Sequence, residues 1–99
     1  MNRNPAARRA LGAVLRAFRE DCALSQEELG HLADVDRTYV GSVERGERNV
    51  SFENLWFLLH ALGVSWTQLG RALDREPVFS KPPRTRRKDG TEHVKRPGR

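Results

Sequence analysis

Apolar residues recur at intervals of three and four through the first three quarters of the chain, and the pattern ends near residue 76. This spacing is typical of amphipathic α-helices, in which one face is buried and the other is solvated. It divides into five segments, at about residues 5–22, 25–33, 37–45, 52–62 and 65–73. The pattern therefore predicts an all-α domain of five helices over residues 5–76, with Pro77 as the far limit of the last helix.

The predicted helix ends carry capping residues. Ser25 and Ser65 each precede a Glu or Gln by three residues, the spacing of a capping box in which two side chains satisfy unpaired backbone N–H groups. Asp36 can cap the third helix, and Gly46 can supply the left-handed residue that ends it. The second and third helices are thus expected to be short and joined by a tight turn.

Helices of about nine residues are marginal alone, so their apolar faces must pack against each other and against the remaining helices. The residues expected to point inward are Leu11, Val14, Leu15 and Phe18; Leu29, Leu32 and Ala33; Val40 and Val43; Phe52, Leu55, Leu58, Leu59 and Leu62; and Leu69 and Leu73. This arrangement leaves Arg37, Thr38, Gly41 and Ser42 of the third helix facing solvent. Small, polar and cationic residues of this kind suit a helix that enters a DNA major groove.

The basic residues are unevenly distributed. The net charge is +5 with a pI of about 10.3, which favours a polyanionic partner. Residues 80–99, however, carry eight Lys or Arg against Asp89 and Glu92, a net of +6, so residues 1–79 total −1. DNA binding by the folded part must therefore rely on locally placed arginines. We expect residues 77–99 to be a disordered basic tail, which is equally consistent with an arm that follows phosphates and with a solubilising end.

Other classes of site find little support in the sequence. Cys22 is the single cysteine, which excludes an internal disulfide and a zinc site built on cysteines. The three histidines, His31, His60 and His93, have no ligand spacing, so we expect no metal or cofactor. We find no catalytic constellation in the sequence, and we expect no separate ligand-sensing domain. Without a membrane-length apolar run or a signal peptide, we expect a cytoplasmic protein that is not an enzyme.

Three motifs carry a family resemblance: LSQEELG in the second helix, VDRTYVGSVERGERN in the third helix and its following loop, and FENLWFLLHALGVSWTQL in the last two. Residues 15–70 resemble the lambda-repressor-like, Cro/repressor-type helix-turn-helix domain, also called the xenobiotic-response-element family. The chain is particularly similar to the controller proteins of restriction–modification systems. The resemblance implies a five-helix fold that binds a pseudo-palindromic DNA operator as a homodimer, with one recognition helix in each half-site.

The resemblance also assigns residues. The positions that match base-contacting residues of the family are Arg37, Thr38 and Ser42. Those that match contacts to the DNA backbone are Gln26, Tyr39, Arg45, Arg48 and Asn49. Arg19 and Glu44 match a salt bridge that holds the recognition helix in the family, which is a structural role.

The sequence departs from the family pattern at several positions. Gly30 replaces the usual alanine where the second and third helices cross, and Ala23 stands where glycine is common, so that turn is either strained or differently shaped. Phe57 falls where the family usually has a polar residue. We expect an exposed aromatic dimer interface, with partial burial in the monomer as the alternative; its residues are Trp56, Phe57, His60 and Trp66.

The leading hypothesis from the sequence is a dimeric, sequence-specific transcriptional regulator. One alternative is an antitoxin-type protein, which binds a toxin and represses its own operon. The other is an RNA or non-specific nucleic-acid binder driven by the basic tail.

Overall fold

The computed structural model describes residues 3–80 of the 99-residue chain. Within that range the backbone is entirely helical in its regular structure, which confirms the predicted all-α class. The helices are α1 (Pro5–Asp21), α2 (Gln26–Ala33), α3 (Arg37–Glu44), α4 (Phe52–Leu62), α5 (Trp66–Asp74) and α6 (Pro77–Ser80). None of these helices is long and apolar enough to cross a membrane. The predictions for the basic tail concern residues 81–99 above all, and these lie outside the described residues.

The short helix α6 was not predicted. Pro77 occupies its first position, where the missing N–H of proline costs nothing, and the N–H of Phe79 donates to the carbonyl of Glu76 at 2.9 Å. The turn packs against α1 and α5. A single turn is too short to produce a periodic apolar pattern, so only the proline marks this helix in the sequence.

Both capping boxes are present. The Ser25 hydroxyl accepts the N–H of Glu28 at 3.0 Å, and the Glu28 carboxylate accepts the N–H of Ser25 at 2.8 Å; the pair at Ser65 has the same geometry. The cap predicted at Asp36 is wrong, because its side chain makes no capping hydrogen bond. The N–H of Tyr39, which such a cap would bind, already donates to the backbone carbonyl of Asp36 at 2.9 Å.

Two residues other than glycine have left-handed backbone conformations. Ala23 has a φ of 58°, so of the two geometries considered for that turn the strained one is present. Asp34 ends α2 with a φ of 59°, a conformation that aspartate adopts more readily than most residues. Gly46 follows α3 with a φ of 74°, which confirms its predicted role as the residue that ends the helix.

The buried core contains residues from each of the five helices α1 through α5. Its members are Val14, Leu15, Leu29, Ala33, Val40, Val43, Leu58, Leu59, Leu62 and Leu69. Two residues predicted to point inward are exposed instead, Leu32 at 58% and Phe52 at 73%. Leu29 and Ala33 fill the inward face of α2, and Leu32 is rotated about 60° from Leu29 around the helix axis, away from Ala33. Phe52 begins α4 at the edge of the core and stacks on Trp66.

Two glycines allow the helices to approach closely. A Cβ atom at Gly12 would collide with the backbone carbonyls of Val43 and Glu44, so α1 crosses the end of α3 at van der Waals distance. A Cβ atom at Gly30 would stand 2.6 Å from the Val35 carbonyl oxygen. The turn between α2 and α3 is therefore tighter than the alanine common in the family would permit.

Candidate nucleic-acid interface

The N-terminal end of α2 and the exposed side of α3 line one shallow crevice. Its lining residues are Ser25, Gln26, Glu27, Arg37, Thr38, Gly41 and Arg45. Four residues predicted to contact DNA thus lie on one surface although they are spread over 20 positions of the sequence, from Gln26 to Arg45. The apolar faces of α2 and α3 pack against the core. The way the two helices cross then brings these four residues onto one surface.

A buried ion pair fixes that crossing. The guanidinium of Arg19 in α1 donates to the Glu44 carboxylate through Nε at 2.7 Å and Nη2 at 3.0 Å, and through Nη1 to the Leu24 carbonyl at 2.7 Å. Gln26 also donates to Glu44, at 2.9 Å. The hydrogen bond to Glu44 raises the pKa of the Arg19 guanidinium above its ordinary value. The expected ion pair is therefore present, and its network joins α1, α2 and α3.

Arg37 and Thr38 are exposed at the start of α3, as predicted. Arg37 Nη1 lies 3.8 Å from a carboxylate oxygen of Glu27, and both side chains are largely solvated. The Thr38 side chain makes no hydrogen bond within residues 3–80. Both side chains are therefore accessible to a ligand on this surface.

Ser42 and Gly41 do not face solvent as the sequence suggested. Ser42 is 9% exposed, because the loop after α3 folds back over it and the N–H of Glu47 donates to its carbonyl at 2.9 Å. Its hydroxyl donates to the Tyr39 carbonyl at 3.0 Å and accepts from Arg48 Nε at 3.3 Å. Gly41 is buried beneath neighbouring side chains. The predicted exposure of Ser42 is therefore wrong, and its hydroxyl bonds the Tyr39 carbonyl and Arg48.

Arg48 and Tyr39 contact each other outside the lining of the α2–α3 crevice. The Arg48 guanidinium carbon lies 5.3 Å from the centre of the Tyr39 ring, within the range of a cation–π interaction. The Tyr39 hydroxyl accepts a hydrogen bond from Asn54 of α4 at 3.1 Å. Asn49 is exposed in the same loop. Asn54 was not singled out from the sequence, where a polar residue in the first turn of an apolar helix gives no functional signal.

Arg45 is paired with Glu47, which sequence reasoning also missed. The Glu47 carboxylate accepts from Arg45 Nε at 3.0 Å and from Nη2 at 3.1 Å. This bond raises the pKa of Arg45 and lowers the pKa of Glu47 from their ordinary values. Both shifts favour the ionised forms at neutral pH. Because both side chains are exposed, the pair has no large effect on the stability of the fold.

Residues 15–69 match the helix-turn-helix family, which is more than half of the chain. The chain belongs to this family. It is 44% identical over 59 residues to the control protein C.SmaI of Serratia marcescens, an alignment that spans 60% of this chain and 70% of that protein.

Solved structures agree with this assignment. The restriction–modification controller protein C.AhdI from Aeromonas hydrophila superimposes with a TM-score of 0.60 and 46% identity, over 62% of this helix-turn-helix chain and 92% of that one. The controller protein C.Esp1396I, solved as a tetramer with its natural 35-base-pair operator, superimposes with a TM-score of 0.67 and 27% identity, over 71% and 92% of the two chains. The lambda-repressor-like fold and the similarity to controller proteins are thus confirmed.

The helix-turn-helix protein has a second exposed surface, on α4 and α5. We call it the aromatic patch, and its members are Phe52, Trp56, Phe57, His60 and Trp66. The Phe52 and Trp66 rings stack with centres 5.3 Å apart, a contact that joins α4 to α5. Trp56 stacks on His60 at 5.1 Å and meets Phe57 edge to face at 5.0 Å. The four residues predicted for a dimer interface are all exposed here, together with Phe52.

Groups of acidic, histidine or cysteine side chains that could hold a metal ion do not occur among the described residues of the helix-turn-helix protein. Cys22 is exposed at the end of α1, with its sulfur 3.7 Å from the Leu62 carbonyl oxygen.

Proposed function

We propose that the protein is a sequence-specific DNA-binding transcriptional regulator that binds a pseudo-palindromic operator as a homodimer. The observation that carries this proposal is the crevice between α2 and α3, where exposed Arg37 and Thr38 at the start of α3 lie beside Gln26 and Arg45. A helix that presents such side chains at its N-terminal end has the geometry of a recognition helix in the major groove.

The two exposed residues at the start of α3 are the base readers in this proposal. Arg37 has the two-pronged guanidinium that matches O6 and N7 of guanine, and Thr38 offers a hydroxyl and a methyl group that suits the methyl of thymine. Ser42 is absent from this set because it is buried. Base preference therefore rests on two side chains of α3.

Contacts to the DNA backbone would set the register. Gln26 stands in the first turn of α2, where unpaired N–H groups and the helix dipole favour a phosphate. The Gln26 amide keeps a second hydrogen for DNA while it donates the first to Glu44. The remaining backbone contacts are assigned to Tyr39, Arg45, Arg48 and Asn49, which determine position rather than sequence.

Dimerisation is assigned to the aromatic patch. An exposed group of four large aromatic rings and a histidine is unusual on a monomer and is typical of an interaction surface. The tetramer of the similar protein C.Esp1396I on its operator supports an assembly of several copies on DNA. Two recognition helices placed by one symmetric interface would give the operator its palindromic form.

A selection of bound duplexes from a random pool tests the proposal. We expect the full chain to enrich one palindromic sequence. Substitution of Arg37→Ala should relax the preference at one position in each half-site, at a cost of roughly 1–3 kcal/mol for each contact. The matched control is Arg48→Ala, which should weaken binding to all sequences about equally because that contact is to phosphate. Absence of any enriched sequence would reject the regulator function.

A further inference from the structure

Glu47 is paired with Arg45 of the proposed DNA surface, yet its charge has the wrong sign for a DNA contact. It occupies the loop after α3, and its two carboxylate oxygens accept from Nε and Nη2 of Arg45 at 3.0 and 3.1 Å. This two-pronged geometry is the strongest and most directional form of an arginine–carboxylate pair. The pair therefore favours one orientation of Arg45 in the free protein.

Gly41 provides the space for that orientation. Arg45 Nη1 lies 3.1 Å from the position that a Cβ atom at Gly41 would occupy, and Gln26 Oε1 lies 3.3 Å from the same position. The guanidinium of Arg45 is thus folded back along α3 over the glycine. Glu47 takes the Nε edge of the group, which leaves the Nη1 side for a contact with DNA.

The pair also changes the electrostatic field of the surface. A carboxylate about 3 Å from the guanidinium cancels most of its long-range attraction for phosphate, because the field of a close ion pair decays faster than that of a single charge. A phosphate in an arbitrary position therefore gains little from Arg45. A phosphate or base edge that meets the Nη1 side directly still gains a hydrogen bond.

We propose that Glu47 is a specificity-determining residue, which holds Arg45 for one directed contact and suppresses its attraction for arbitrary DNA. The inference rests on the proposed function of the α2–α3 surface. Arg37 has only a loose ion pair, in which its Nη1 lies 3.8 Å from one carboxylate oxygen of Glu27. Arg48 differs, since its guanidinium contacts the Tyr39 ring and the Ser42 hydroxyl.

The test is Glu47→Gln, measured as affinity for the selected operator and for a random duplex over a range of salt. The amide keeps the size of the side chain and removes its charge. We expect the affinity for random duplex to rise roughly two- to fivefold. The slope of log affinity against log salt on that duplex should steepen by up to about one unit, as Arg45 becomes free to neutralise a further phosphate. Operator affinity should change less, so the ratio of operator to random affinity falls.

Two controls separate this effect from net charge. Asp74→Asn changes the charge equally at an exposed position at the end of α5, and it should leave the ratio unchanged. In an Arg45→Ala background, Glu47→Gln should have no more effect than Asp74→Asn. If Glu47→Gln leaves the ratio of operator to random affinity unchanged, while the wild-type chain still selects an operator, the inference is overturned. If the wild-type chain selects none, the proposed function itself fails.

Discussion

Gly12 and Gly70 both lie within helices, but their surroundings differ. Substitution by alanine is therefore expected to change stability in opposite directions at the two positions. Gly12→Ala would place a methyl group against the backbone carbonyls of Val43 and Glu44, which cannot move without shifting the end of α3. We expect a loss of about 1–3 kcal/mol in the free energy of unfolding, the usual range for overpacking.

Gly70→Ala is the matched control, because a Cβ atom at that position would meet nothing within 4 Å. There the higher helix propensity of alanine acts alone and should stabilise the protein by about 0.5–1 kcal/mol. Denaturation in guanidinium chloride measures both changes. If Gly12→Ala were as stabilising as Gly70→Ala, the close crossing of α1 and α3 would be wrong.

The residues at the start and in the middle of α3 differ in how well their exposure could be predicted from the sequence. Arg37 and Thr38 were predicted to be exposed from the helical spacing alone, and they are. Gly41 and Ser42 were assigned to the same surface and are buried, because side chains from α2 and the end of α3 cover the first and the following loop folds over the second. Periodicity gives the direction of a side chain from its own helix, but it carries no information about which other segment covers it.

At the scale of the elements, the placement of α3 depends on α1 through Arg19 and Glu44. Their side chains are 10% and 4% exposed, so loss of the guanidinium would leave a buried carboxylate without its cationic partner. We expect Arg19→Met to destabilise the fold by about 3–5 kcal/mol.

Arg16→Met is the matched control for that change. Arg16 pairs with Glu20 at 3.0 Å on the same helix, but the two side chains are 62% and 55% exposed. A solvated pair of this kind contributes about 0.3–0.5 kcal/mol, so the control should unfold almost like the wild type. Thermal and chemical denaturation of the two variants decide the matter, and similar losses in both would contradict a structural role for the buried pair.

The elements themselves were largely predictable. Apolar spacing and capping residues located α1 to α5 to within one or two residues, since both signals are local in sequence. The cap at Asp36 was wrong although the helix start was right, because a backbone carbonyl satisfies the N–H that the side chain would have bound. The turn of α6 was missed because its stability comes from packing on α1 and α5 rather than from its own pattern.

At the scale of the whole molecule, the aromatic patch should control assembly. Phe57→Glu would place a carboxylate within a surface that we propose is buried between two copies. We expect the dissociation constant of the dimer to rise roughly tenfold or more, because an unpaired charge would have to be desolvated. Sedimentation equilibrium at several protein concentrations measures the change.

Leu32→Glu is the control for nonspecific effects of a new charge. Leu32 is a large apolar residue, exposed on α2 and outside the aromatic patch. Its substitution should leave the monomer–dimer equilibrium as in the wild type. A Phe57→Glu variant that remained as dimeric as the control would remove the patch from the interface.

The sequence indicated this patch because α4 has more large apolar residues than its buried face can hold. It did not indicate that Phe52 joins the patch, since the spacing from Leu55 and Leu59 suggested a core position. The stacking of Phe52 on Trp66 depends on the angle between α4 and α5, which only the folded chain defines.

Both tryptophans of the chain, Trp56 and Trp66, belong to the aromatic patch, whereas its single tyrosine lies beside the proposed DNA surface. The intrinsic indole fluorescence of the protein therefore reports on the aromatic patch and not on the proposed DNA surface. Indole emission moves to shorter wavelength when the ring leaves water, so self-association should shift the tryptophan spectrum to the blue on concentration alone. Tryptophan emission can therefore follow assembly in an unlabelled sample, while DNA binding is measured separately.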